Sequence, residues 1–568
     1  MSEPTRRPLP LILIRGFGGL NTKDEKKDSY QGFTEGSVYP QKQGENYIYE
    51  GLLLRFMKSN WQYQDATNVV GYYGSKIGYE PNLPGKLQYL KEIEDDSQLT
   101  EKLRNLKKKG VLEQFERLQK AGYFSGDKVV INPGMALQLI ESTDDPCRSI
   151  WVFRYYDLND REFKVYGEAL VRLIDFIRDL AVMKDGVKPK VNIIAHSMGG
   201  LLVREAVQRT YPNANNPRKA EEYINKIVTL GTPHRGITFQ ILKDWLGIEA
   251  ADDLKHFNPD FQNDKTNDAS FWNFGKHFPV ERLLTVVGTN YRSYGIGTAT
   301  ALNRFFSASG EYGPNYNRSD GLVKQISAQI PGAPRTFVNK CHGGFDSLIT
   351  SRESFEVARR FLFGNVKARL RFVKGAILRG KDLFGKSEFF MGVSIKPRGV
   401  DFELFHQSKD AENCYGPFTK EDMTDENLTF SWADDKNLIW EGSLDTLSIL
   451  EDDYRPEKDM VFRLEFYIGE RDLLGLGFSD NAIFREQYYV RTLLTKRPLE
   501  LYLHTNERFA QPNLQNTFDD PKLQPEPPVK MTAVDGGWEF EVGGTGFKGT
   551  FRIEIDSVPP EGEPKAFV

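Results

Sequence analysis

Short apolar runs and longer stretches of helical spacing alternate along the first two-thirds of the chain. LPLILIRG (9–16), IWVFRYYD (150–157), VNIIA (191–195), KIVTLG (226–231), ERLLTVVG (281–288) and RTFVNK (335–340) read as buried strands. Between them, FKVYGEALVRLIDFIRDLAVM (163–183) places Val165, Ala169, Leu173, Phe176, Ile177 and Leu180 on one helical face. LLVREAVQRTY (201–211) and RESFEVARRFLF (352–363) read as further helices. Strands alternating with helices predict βαβ units and a mostly parallel sheet covered on both faces.

Two stretches interrupt the alternation. Residues 20–147 are long and charged, and LQYLKEIE and LTEKLRNLKKKGVLEQFERLQKAG within them have the pattern of surface helices. Residues 237–280 open on the apolar ITFQILKDWLGI and continue as a polar loop with aromatics, which makes them a cap or lid candidate. Beyond residue 366 the texture changes to short, alternating, aromatic-rich segments such as FFMGVSI, MVFRLEFYI, WEFEV and GTFRIEI. That pattern predicts an all-β sandwich over 366–568, after an α/β domain over 1–365. The proline-rich 506–529 reads as a linker or extended crossing.

Composition narrows the class of protein. In 568 residues, 75 Lys and Arg nearly balance 79 Asp and Glu, and the two signs are interspersed, so no basic face for nucleic acid is expected. Cys147, Cys341 and Cys414 are too few for a disulfide framework. The apolar run near the N-terminus is too short for a signal-peptide core, and no stretch is long enough to span a membrane. The expectation is a cytoplasmic location, with signal-independent export as the alternative.

The chemistry concentrates at AHSMGG. A serine hydroxyl becomes a nucleophile when an imidazole takes its proton and a carboxylate orients that imidazole. Ser197 follows a strand and precedes a helix, and the small residues Ala195 and Gly199 flank it, as a tight strand-to-helix turn requires. The partners should follow in the order acid, then histidine, each beyond a later strand. NRSDGLV supplies Asp320 and CHGGF supplies His342, the only histidine between residues 278 and 405. Asp346 follows the histidine, which is the wrong order. Backbone N–H donors for an oxyanion are expected at Met198 and, in RGFGGL, at Phe17. His196 and His234 read as packing or hydrogen-bonding residues, and Cys341 as a buried thiol.

PLILIRGFGG, AHSMGG, TLGTPHRG, SDGLV and CHGG together resemble the α/β-hydrolase lipases and esterases, in the branch of triacylglycerol lipases, phospholipases and PGAP1-like acyl hydrolases. The resemblance covers roughly residues 8–365. It implies an α/β-hydrolase fold with large insertions, Ser197 as nucleophile, Asp320 as acid and His342 as base. It also places Thr232, Pro233 and His234 beside the pocket. Arg15 stands where many relatives have histidine, and the insertion at 20–147 is larger than in compact lipases.

The expected activity is hydrolysis of a carboxylic ester with a hydrophobic acyl group through an acyl-enzyme. Phe239, Leu242 and Trp245 are the candidate substrate contacts, in a segment that fits either a mobile lid or a fixed helix. A thioesterase or acyltransferase would use the same triad, and a lipid- or partner-binding protein on a hydrolase scaffold is the non-enzymatic alternative. No cofactor is required by this chemistry. In the β-rich part, KDLFGKSEFFMGV and GERDLLGLGFSD loosely match C2-type calcium loops through Asp382, Glu388, Asp472 and Asp480. Against that match stand a glutamate at 388 and the lack of an Asp-x-Asp, so a sandwich that docks substrate, partner or a membrane surface without metal is the preferred reading.

Overall fold

The computed structural model describes residues 8–566 except 17–35, 39–45, 49–50, 74–76, 79–83, 94–96, 98, 127, 144, 156–161, 183–185, 237–257, 293–317, 344–345, 379–386, 426–427, 429–436, 447–458, 472–480, 494–497, 506–528 and 558–564. Two compact units divide the chain, Arg7–Leu283 and Leu284–Val568.

The first unit is built on parallel strands: β1 (Leu11–Ile14), β2 (Gln64–Asp65), β3 (Ser149–Phe153), β4 (Val191–His196) and β5 (Ile224–Leu230). Their spatial order is β2-β3-β1-β4-β5, every pairing parallel, with the strand first in sequence at the centre. All residues of β1, β3 and β4 are buried, as continuous apolar strands covered on both faces must be. Helix α1 (Phe163–Leu180) and helix α2 (Met198–Glu205) pack together, and α1 also packs on β4. The helical periodicity that continues beyond α2 becomes a π-turn at Ala206–Thr210. There Gly167 of α1 leaves the space that Thr210 Oγ1 and the Glu205 side chain occupy.

The long insertion after β1 contributes to this body. It supplies β2 at the sheet edge, a short antiparallel pair between Val70–Tyr73 and Val129–Ile131, and helices at Gly85–Glu92, Glu101–Lys108, Val111–Lys120 and Pro133–Ser142. The charged helices bury only narrow stripes, Leu87 and Leu90 in one, Leu106 in the next, then Val111, Phe115 and Leu118. The last of these is fastened to the C-terminal end of α1, where Arg117 Nη2 donates to Asp179 O at 3.2 Å and Tyr123 Oη donates to Asp179 Oδ2 at 2.9 Å.

The second unit begins with two further parallel strands, β6 (Leu283–Gly288) and β7 (Arg335–Val338), paired from Thr285↔Arg335 to Gly288↔Val338. Helix α3 (Arg352–Phe363) follows, with Ser351 Oγ capping its first turn through Ser354 N. The main strands beyond it are antiparallel: β8 (Val366–Ile377), β9 (Glu388–Pro397), β10 (Leu438–Leu444), β11 (Asp459–Arg471), β12 (Ala482–Leu493), β13 (Glu500–His504), β14 (Gly537–Gly543) and β15 (Phe547–Ser557). One sheet runs β10-β8-β15-β14 and the other β9-β11-β12-β13. Aromatic rings join the two. Phe466 of β11 lies 4.4 Å from Phe551 of β15, and Phe484 of β12 lies 5.4 Å from Phe547. The outer face of the first sheet carries a ladder of opposite charges, with Arg369 between Glu441 and Asp556, and Arg371 beside Glu554. This is the sandwich expected of alternating aromatic segments. Val529, the last residue of the stretch read as a linker or extended crossing, pairs with Leu503 of β13.

Candidate active site

At the end of β4 the chain turns sharply into α2, and Ser197 sits on the corner with φ 52° and ψ −125°. A non-glycine residue at positive φ is strained, and such strain is retained where the surroundings over-determine it. Here they do. Ser197 N donates to Leu230 O of β5 at 2.9 Å, and Gly200 N donates back to Ser197 O at 3.0 Å. A Cβ on Gly199 would lie 2.5 Å from Ile14 O, and one on Gly16 would lie 2.6 Å from Ser197 Cβ. The turn therefore fits only because the end of β1 and the start of α2 lack side chains at these points. Ala195 is fully buried, so the motif's small first residue is accommodated as alanine. Met198 is the first residue of α2, where a backbone N–H has no intrahelical acceptor. Phe17, the other expected donor, lies outside the described residues.

The loop after β5 packs against this elbow. Thr232 is fully buried, and its side chain fills the space that a Cβ on Gly200 would need. His234 Nε2 is 3.0 Å from Thr229 Oγ1. Burial, reinforced by the charge of Arg204, holds the His234 imidazole well below its usual range, so it is neutral. It thus has the hydrogen-bonding role expected of it.

Arg204, which the sequence did not single out, organises this side of the site. It projects from α2 into a buried site and donates to Gln208 Oε1 at 2.8 Å, His234 O at 2.6 Å, Gln262 Oε1 at 2.8 Å and Ala269 O at 2.9 Å. Burial pushes its guanidinium down to about 9, which still leaves it charged at neutral pH. Gln208 Nε2 extends the network to Asp268 O and Ser270 O, and Phe271, Phe274 and Phe278 are buried behind it. Residues 258–280, the second half of the lid candidate, are thus fastened to the elbow's own helix by a buried polar network. The first half, with Phe239, Leu242 and Trp245, lies outside the described residues.

In the second unit, Asp320 and His342 come together. His342 Nδ1 is 2.8 Å from Asp320 Oδ2, and both side chains are buried. His342 N donates to Asp320 O at 2.9 Å, so backbone and side chain share one geometry. The other carboxylate oxygen, Oδ1, accepts from Leu322 N at 3.0 Å and Val323 N at 2.7 Å. Gly288, at the end of β6, makes room for this turn, since a Cβ there would lie 2.6 Å from Asp320 Cβ. With Nδ1 directed at a carboxylate, His342 is fixed in the tautomer that leaves Nε2 to accept a proton. Asp346 is engaged elsewhere, by Lys340 Nζ at 2.7 Å. Cys341 is a buried free thiol whose Sγ is 3.0 Å from Asp346 O, which bends the loop behind His342.

Glu388 opens β9 opposite Arg471, whereas Asp382, Asp472 and Asp480 lie outside the described residues. Among the described residues no group of three or more His, Cys, Asp or Glu is placed to hold a metal ion. No helix among them is long and apolar enough to cross a membrane.

Residues 145–283 match the model of the PGAP1-like alpha/beta domain family. No curated protein matches the chain. Among solved structures, phospholipase PlaB from Legionella pneumophila in complex with thio-NAD is similar at 13% identity, over 71% of this chain and 89% of that one, with a TM-score of 0.25. Lipase 1 from Pelosinus fermentans is similar at 13% identity, over 62% and 98%, with a TM-score of 0.27. A gene product of Listeria innocua is similar at 12% identity, over 62% and 94%, with a TM-score of 0.28. The matched segment runs from β3 through the Ser197 elbow to β5 and the loop beyond, on a parallel sheet with β1 at its centre, which is the arrangement of an α/β-hydrolase fold.

Proposed function

We propose that the protein is a serine hydrolase that cleaves carboxylic esters of hydrophobic acyl groups. The observation that carries this reading is the strained Ser197 corner between β4 and α2, held by backbone contacts that no ordinary turn requires. In the proposed reaction Ser197 Oγ attacks the acyl carbonyl while His342 Nε2 takes its proton. Asp320 holds Nδ1–H and stabilises the imidazolium. The N–H groups of Met198 and Phe17 receive the oxyanion. Collapse of the tetrahedral adduct expels the alcohol, which leaves with the proton from His342, and the acyl group stays on Ser197. Water then attacks with His342 again as base, giving the free acid and restoring the serine. No cofactor enters these steps. Aromatic and aliphatic side chains of the 237–280 segment, Phe239, Leu242 and Trp245 among them, would receive the acyl chain, and a lipid surface is the corresponding source of substrate.

The test uses the full-length chain. Ser197 should be labelled by a fluorophosphonate, and p-nitrophenyl esters and phospholipids of graded acyl length should be hydrolysed, the longer acyl chains faster. A wild type that neither labels nor hydrolyses makes the chain a binding protein on a hydrolase scaffold. A preference for thioesters over oxygen esters, or acyl transfer to an alcohol in place of water, reassigns the reaction while keeping the triad.

A further inference from the structure

We propose that the β-sandwich is part of the catalytic apparatus, with Gln325, Arg335 and Tyr415 as positioning residues for the Asp320–His342 pair. This rests on the reading of His342 as the base.

A continuous hydrogen-bonded path, buried except at the half-buried Gln329, joins the sandwich to the turn that carries Asp320. Tyr415 Oη accepts from Arg335 Nη2 at 3.0 Å and donates to Ile439 O of β10 at 2.5 Å. Arg335 Nη1 donates to Gln329 Oε1, and Gln329 Nε2 donates to Gln325 O at 2.7 Å. Gln325 Nε2 returns to the sandwich at Ala411 O, 2.9 Å away. Its backbone N donates to Arg318 O at 2.9 Å, which closes the turn from 318 to 325 around Asp320. Gln325, Arg335 and Tyr415 are all buried.

The same segment of the sandwich grips β7, the strand that leads to His342. Arg335 stacks between Phe337 and Tyr415, 4.9 and 5.4 Å from their ring centres. Phe337 and Phe405 lie 5.5 Å apart, and Thr336 Oγ1 donates to Leu404 O. This segment is in turn held on β9, through Leu404 N to Ile395 O at 2.8 Å and through pairing of Tyr415–Phe418 with β9. Both elements that present the acid–base pair, the turn of Asp320 and the strand before His342, are therefore seated on residues 404–415. A domain attached only to find substrate would have no reason to supply acceptors and aromatic rings to the catalytic strand. An acid–base pair that must be held within a few tenths of an ångström has such a reason.

Two variants of the full chain test this. Gln325→Met removes the amide at similar volume, and Tyr415→Phe removes one hydroxyl. Rates are scaled to the folded fraction measured by circular dichroism. Each variant should lower kcat on a p-nitrophenyl ester at least tenfold with KM within twofold of wild type. Each should also slow fluorophosphonate labelling of Ser197 by the same factor. If the wild type is active and both variants keep kcat within twofold, the sandwich is not a positioning element and the inference falls alone. If the wild type is inactive and unlabelled, the hydrolase reading falls and takes the inference with it.

Discussion

The two halves of the proposed triad are built by different physics. The Ser197 corner is a steric construction: strand, turn and helix approach so closely that Gly16 and Gly199 cannot carry a Cβ, and the serine is left in a strained conformation. The Asp320–His342 pair is a hydrogen-bonded construction, in which two backbone N–H groups, one imidazole and a chain of buried polar side chains fix a carboxylate. Steric exclusion is local and absolute, so it leaves a mark in a few adjacent residues. A hydrogen-bonded scaffold can draw its members from anywhere in the chain, and here Gln325 reaches Ala411, 86 residues away.

The comparison is broken most directly at its two centres. Replacing Ser197 by alanine removes the proposed nucleophile and should reduce kcat on p-nitrophenyl esters by a factor on the order of 10⁶, leaving only what the proposed oxyanion donors and binding provide. Full activity in that variant would leave the elbow as mere architecture. Asp320→Asn keeps the shape of the turn but reverses the imidazole tautomer, and kcat should fall by a factor of about 10⁴. Steady-state kinetics at a fixed pH distinguish the two, and a loss below tenfold for Asp320→Asn would remove Asp320 from the proposed mechanism.

This difference also governs what the sequence could reveal. AHSMGG, SDGLV and CHGG are compact signals, because a tight turn demands small residues beside the functional one, and in the structure His342 Nδ1 lies 2.8 Å from Asp320 Oδ2. The strands were legible as apolar runs, with limits displaced by a few residues; KIVTLG (226–231), for example, overlaps a strand that begins two residues earlier and ends one residue sooner, Ile224–Leu230. The edge strand β2 was not legible, since two half-buried residues carry no period. Arg204 was not legible either. An arginine at helical spacing ordinarily marks a solvated face, and only the fold shows that four neutral oxygens from three other places in the chain and one place on its own helix surround it. Tyr415 and Gln325 went unnoticed for the same reason.

A smaller effect tests the steric side alone. Gly199→Ala places a methyl group 2.5 Å from Ile14 O, a backbone atom that cannot swing away. The expected cost is about 3 kcal/mol of stability, near the top of the range for overpacking. Chemical denaturation should show it as a lower midpoint at unchanged slope. A variant as stable as wild type would mean that the corner has slack, and the argument from close approach would fail.

The smallest effect is in pH dependence, and each unit has its own reporter. His234 in the first unit is held well below the usual imidazole range by burial and then by Arg204; His504 in the second is pushed down to about 4 by burial and then by Arg491. In both cases the unfolded chain binds a proton at about 6.5 that the folded chain refuses. Stability is therefore at its full value above pH 6.5 and declines as the pH falls below it. For His504 the decline levels off near pH 4, where the folded state also protonates; for His234 it continues to lower pH. Replacing either histidine with a neutral side chain should flatten this acid limb in thermal melts between pH 7 and 4. Asp320 and His342 lie in the unit of His504, so the two replacements separate the nucleophile's half from the acid–base half. If His504→Gln flattens the melting of the whole chain and His234→Gln does not, the unit carrying the acid–base pair sets the acid limit of the fold.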